Sequence, residues 1–113
     1  MNQFGSQNMV SSLKKVLMKK PDKFMSKADY KKWNYQGNLN QKLIDNNYND
    51  FLQIIINAKV KIIYLNPKKN NDELYDSIFT HDPSIVINEG SIILNMTKKL
   101  RKNEIFEHID IYK

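Results

Sequence analysis

The sequence predicts an α/β fold, and three observations carry that reading. Residues 39–55 repeat apolar side chains at helical spacing, short β-branched runs bracket them, and two further apolar runs close on the turn Asn88-Glu89-Gly90-Ser91. The chain has 113 residues, 41% hydrophobic and 27% charged, which makes one modest domain at most. No apolar run approaches the ~20 residues that a membrane-spanning helix requires, so no membrane partner is expected. The start, Met1-Asn2-Gln3-Phe4-Gly5-Ser6, has neither a basic region leading into an apolar core nor an Arg-rich amphipathic pattern. The expected location is therefore cytoplasmic.

In chain order, residues 1–9 are polar and read as a flexible arm. Leu13-Lys14-Lys15-Val16-Leu17-Met18 reads as the first strand, closed by Pro21. Residues 22–37 mix Phe24, Tyr30, Trp33 and Tyr35 with lysines and show no clean period, which predicts an ordered loop with at most one helical turn. Such a loop is a candidate lid; its aromatics equally suit base stacking or plain core packing. Leu39, Leu43, Ile44, Tyr48, Phe51, Leu52 and Ile55 fall on one helical face. Asn38 with Gln41 three residues on forms a capping-box start, and the helix is expected to end near Ala58. Val60-Lys61-Ile62-Ile63-Tyr64-Leu65 is the next strand, stopped by Asn66-Pro67, and a polar loop follows through Glu73. Ile85-Val86-Ile87 and Ile92-Ile93-Leu94 are a hairpin pair. Beyond an irregular basic stretch at 96–102, Asn103 precedes a last helix expected to use Ile105, Phe106, Ile109 and Tyr112.

Composition excludes several chemistries. With no cysteine the chain has no disulfide, no thiolate metal ligand and no thiol nucleophile of its own. His81 and His108 lie far apart, no His/Asp/Glu cluster has metal-ligand spacing, and neither a metal nor a cofactor is expected. The net charge of +6 resides wholly in residues 1–32, where eight lysines face two aspartates, while the remainder balances ten basic against ten acidic groups. Arg101 is the one arginine among the eighteen basic residues. Nucleic-acid readers lean on arginine for bidentate contacts, so the lysine-rich start reads as a solvated face and nucleic acid is disfavoured as a partner.

The chemistry concentrates in Asp76-Ser77-Ile78-Phe79-Thr80-His81-Asp82-Pro83, where two carboxylates flank a phenylalanine. A planar guanidinium suits such carboxylates, because charge-assisted hydrogen bonds can grip it in pairs. Fully extended, the two aspartates would lie about 20 Å apart, so they serve one small ligand only where the segment bends. Each residue also has a plainer reading. Asp76 could cap the loop, Asp82 a turn before Pro83, Phe79 could fill the core, and Arg101 could be surface charge.

That octapeptide, the hairpin after it, and Arg101 with Glu104 three residues on resemble the amino-terminal part of the dimethylarginine dimethylaminohydrolase and arginine deiminase group, in the amidinotransferase or pentein superfamily. Leu13-Lys14-Lys15-Val16-Leu17-Met18-Lys19-Lys20-Pro21 is similar to that family's first strand and the proline after it. The resemblance implies ββαβ-type units of an α/β propeller, about two of five in this chain, which would make residues 1–113 a partial domain. It implies a hydrolase, or an amidinotransferase, in which a cysteine attacks the guanidinium carbon of arginine or methylated arginine and a histidine moves protons, yielding citrulline. Neither catalytic residue has a counterpart here, so the chain alone is expected to be inactive. What carries over is substrate binding: Asp82 toward the guanidinium, Phe79 beside the aliphatic stem, Asp76 toward the ammonium and Arg101 toward the carboxylate. His81 stands where dimethylargininases carry an acidic residue and arginine deiminases tolerate a basic one. A partial propeller also implies self-association through open sheet edges.

Overall fold

The computed structural model describes residues 5–66 and 73–113; the polar loop expected after Pro67 lies, apart from Glu73, outside them. Mixed helix and strand form two small sheets. β1 (Lys15–Met18) pairs in parallel with β2 (Lys61–Tyr64), matching Leu17 with Ile63, and β3 (Ser84–Ile87) pairs antiparallel with β4 (Gly90–Ile93). A parallel pair needs a long crossover. Residues 19–60 provide it, and with it the α/β unit expected from the sequence. The hairpin is tighter than the four-residue turn suggested, because Ile87 pairs directly with Gly90 across Asn88 and Glu89.

Residues 22–37 fold as a 3-10 turn (Met25–Lys27) and a single helical turn, α1 (Tyr30–Trp33). Asp29 caps α1 by accepting from the backbone of Lys31 and Lys32, and Asn34 ends it in the left-handed region that asparagine tolerates. This segment supplies the main buried cluster, Met25, Ala28 and Trp33 with Tyr75, and Trp33 meets Tyr75 edge-on at 5.2 Å. Of the uses open to its aromatics, Trp33 takes core packing. With 3% of its surface exposed, its ring is closed to stacked bases.

α2 (Gln41–Asn57) is the long helix that the apolar spacing predicts, but its cap lies two residues later than expected. Asn40 accepts from Leu43 N–H at 3.0 Å, and Gln41 reaches Ser26 N–H and the Asp22 carbonyl rather than back to the cap. The helix buries no residue fully. Ile44, Tyr48, Leu52 and Ile55 are half-buried, whereas Leu43 and Phe51 of the same stripe stay exposed.

α3 (Glu104–Tyr112) packs on β4 and departs furthest from expectation. Its deepest residues are Glu104, Glu107 and His108, each 3% exposed or less, while Phe106 is 47% exposed. Asn103 precedes it without a side-chain cap. Charge can occupy such positions only where each group finds a partner.

A self-satisfied guanidinium site

Three elements bring the site together. A 3-10 turn (Tyr75–Ile78) and a bond from Asp82 N–H to the Phe79 carbonyl at 3.3 Å fold the Asp76–Asp82 segment back on itself. A second 3-10 turn (Lys99–Arg101) delivers Arg101, and the first turn of α3 delivers Glu104. The bend that one small ligand requires is therefore present.

Arg101 lies at the centre of this bend. Its Nε and Nη2 each donate to one carboxylate oxygen of Glu104 at 2.9 Å, Nη1 donates to Asp82 Oδ2 at 2.7 Å, and Nη2 reaches the carbonyls of Asp76 and Phe79 at 3.3 and 3.4 Å. The guanidinium carbon lies 5.9 Å from the centre of the Phe79 ring, within cation–π range. Asp76, Phe79, Asp82 and Arg101 thus meet at one point, and Arg101's own guanidinium occupies it.

The electrostatics follow from burial. Burial opposes the charge on Arg101, but hydrogen bonds and attraction from Glu104 and Asp82 more than offset it and raise its pKa. Burial lifts the Glu104 carboxyl above its ordinary range, and the two bonds from Arg101 pull against that.

The residues of the site differ in how open they are. Asp76 is 6% exposed, accepting from Tyr35 OH at 2.6 Å and from Lys98 Nζ at 2.7 Å. Lys98 also donates to the Trp33 carbonyl at 2.6 Å and lies 5.0 Å from the centre of the Trp33 ring. Both Asp76 oxygens are therefore engaged inside the protein, and Asp76 acts as a strut. Burial and the neighbouring carboxylate hold the Tyr35 phenol protonated, well above its ordinary pKa. Asp82 is open, with one bond to Arg101 and 44% of its side chain exposed. Phe79 is exposed rather than core, His81 is exposed, and Arg101 is buried rather than surface charge.

Lys98 and Tyr35 carry no local signal that marks them as partners of Asp76. A second buried network adjoins the first. Lys19 Nζ grips both oxygens of Glu107 at 2.7 and 2.8 Å, and His108 Nδ1 lies 2.8 Å from Ser84 Oγ. Burial, followed by the charges of Lys19 and Arg101, pushes the His108 pKa down to about 4, so its ring is neutral near pH 7. Among the described residues no group of three His, Cys, Asp or Glu side chains is arranged to hold a metal. Compared with protein-family models, curated proteins and solved structures, the chain finds no match in any of the three.

Proposed function

We propose that this chain is the substrate-recognising amino-terminal part of a guanidine-modifying hydrolase of the amidinotransferase, or pentein, type, acting on arginine or a methylated arginine. One observation carries the reading: the Asp76–Asp82 segment and Arg101 converge on a guanidinium held between the open carboxylate of Asp82 and the exposed ring of Phe79. In this reading Arg101 is a place-holder. A ligand such as arginine carries both a guanidinium, which replaces that of Arg101 on Asp82, and a carboxylate, which replaces Asp82 on Arg101. The exchange breaks one ion pair, Arg101–Asp82, and forms two with the ligand, while the Arg101–Glu104 pair stays intact throughout. Asp76 supports the bend from behind instead of meeting the ligand's ammonium. With no cysteine among its 113 residues the chain brings no thiol nucleophile, so it binds and does not cleave.

Calorimetric titration with arginine and with agmatine, which lacks the carboxylate, tests this reading. Arginine is expected to bind more tightly, Asp82→Asn to abolish the difference, and neither compound to be turned over. Agmatine binding as well as arginine would overturn the exchange, and citrulline formed by the chain alone would overturn the assignment of a binding part.

A second reading, self-association, is favoured by the uncovered apolar side chains of α2, where Leu43, Phe51, Ile54 and Ile56 are each at least 47% exposed.

A further inference from the structure

Residues 20–32 carry five lysines, Lys20, Lys23, Lys27, Lys31 and Lys32, against two aspartates. All five lysines are exposed, and none meets a carboxylate among the described residues. The aspartates are spent on local backbone. Asp22 Oδ1 accepts from Phe24 N–H at 2.7 Å, and Asp29 Oδ1 accepts from the N–H groups of Lys31 and Lys32 at 3.0 and 3.3 Å. Three of the four aromatics in this part of the chain are engaged: Trp33 lies in the core, Tyr35 stacks on it at 6.2 Å and bonds Asp76, and Tyr30 is half-buried. Phe24 is not, with 51% of its surface exposed. Lys27 Nζ lies 4.8 Å and Lys23 Nζ 5.7 Å from the centre of its ring. Cation–π contacts at exposed sites are weak, so both ammonium groups can release the ring to a better partner.

We infer that this face binds single-stranded nucleic acid, with a base stacked on Phe24 and neighbouring phosphates paired with Lys23 and Lys27. An open ring flanked by two ammonium groups matches a strand in which each flat base has a phosphate on either side. An acidic peptide or a free phosphate would use the lysines and leave the ring idle. The scarcity of arginine argues against reading of base edges, since a lysine ammonium is a point charge without the planar fork that such reading uses. It does not bear on sequence-tolerant binding, where stacking and backbone charge suffice because every base has a π-face. None of these groups belongs to the guanidinium site, so strand binding stands or falls apart from arginine binding.

The test is fluorescence anisotropy of the full chain with labelled oligothymidylate and oligouridylate of about ten nucleotides, with inorganic polyphosphate of similar length as a polyanion that has no bases. Saturable binding of at least one oligonucleotide is expected at about 50 mM salt, falling as salt rises. Replacing Lys23 and Lys27 together by glutamine should reduce the slope of log K against log salt by about 1.4, the share of two phosphate contacts on a single strand. Phe24→Leu should weaken oligonucleotide binding about fivefold or more and leave polyphosphate binding unchanged, and Phe24→Tyr, which keeps a ring, should bind as the parent does. Anisotropy that never saturates would overturn the surface. A Phe24→Leu chain that binds the oligonucleotides as tightly as the parent would reduce it to charge alone. Equal loss of oligonucleotide and polyphosphate in that variant would show that Phe24 merely holds the turn, and would overturn the stacking.

Discussion

Arg101 and its two carboxylate partners differ sharply in environment, and so in what their removal does. Glu104 is fully buried, whereas the Asp82 side chain is 44% exposed. Arg101→Ala leaves Glu104 as an uncompensated buried charge and should cost about 3–5 kcal/mol. Asp82→Asn weakens a water-screened pair and should cost about 0–1 kcal/mol. Urea midpoints check this, and equal losses would show that Asp82 is as structural as Glu104. His108 gives a prediction in pH. Its folded pKa of about 4 lies below its ordinary 6.5, so between those values the unfolded chain binds a proton that the folded chain refuses. Stability is therefore fully present above 6.5 and falls as pH drops toward 4. His108→Gln should flatten that part of the curve, measured at pH 5–6.5 to avoid most carboxyl titration. Lys19, just after β1, and Arg101 from its 3-10 turn both disfavour the charged ring, and Ser84 of β3 bonds it in the folded state. At this scale the spacing of Asp76, Phe79, Asp82 and Arg101 was legible in the sequence. Their internal pairing was not, because Tyr35 and Lys98 reach Asp76 from 41 and 22 residues away, along a path that only tertiary structure defines.

The two longer helices reverse the usual relation between length and protection. α2 runs for 17 residues and buries none fully, whereas α3 has nine and anchors three side chains to three separate parts of the chain. Glu104 binds Arg101, Glu107 binds Lys19 just after β1, and His108 bonds Ser84 of β3. Backbone amides in the middle of α3 should therefore outlast those of α2 in native-state hydrogen exchange, since opening α3 breaks buried ion pairs. Slower exchange throughout α2 would contradict this. Ile54→Lys, at a position 65% exposed, should change stability by no more than about 0.5 kcal/mol. The periodicity of α2 was legible because it reports which residues share a face. It cannot report how wide a surface covers that face, and here no residue of α2 is covered fully. In α3 the apolar residues Ile105, Ile109 and Tyr112 are half-buried and Phe106 is exposed, so hydropathy alone did not mark the deepest positions. Polar pairing overrode it, because a residue's partners, not its hydropathy alone, decide whether it can be buried.

Taken whole, the chain exposes 8540 Å² for a mass of 13.4 kDa, against about 6,500 Å² for a compact monomer of that mass. Its radius of gyration is 14.9 Å, where about 13 Å is ordinary for this length. The excess, about 2,000 Å², is more than the roughly 800 Å² that each partner contributes to a standard protein interface. Sedimentation at rising concentration should therefore detect association. The net charge of +6 opposes it between copies, so added salt should strengthen it by screening. A monomer at all salt concentrations would count against self-association. The α/β class was legible at this scale from alternating strand and helix signals. The relation between the two small sheets was not, because no local pattern specifies how separate sheets are set beside each other.

The bond between Lys19 and Glu107 also bears on how the chain is made. These residues are 88 positions apart, so during synthesis the first strand leaves the ribosome long before the carboxylate that neutralises its lysine exists. Until then Lys19 must remain in water, and β1 cannot settle into its final burial. The third helix thus sets the moment at which the first strand can lock, and that strand waits for a partner 88 residues downstream.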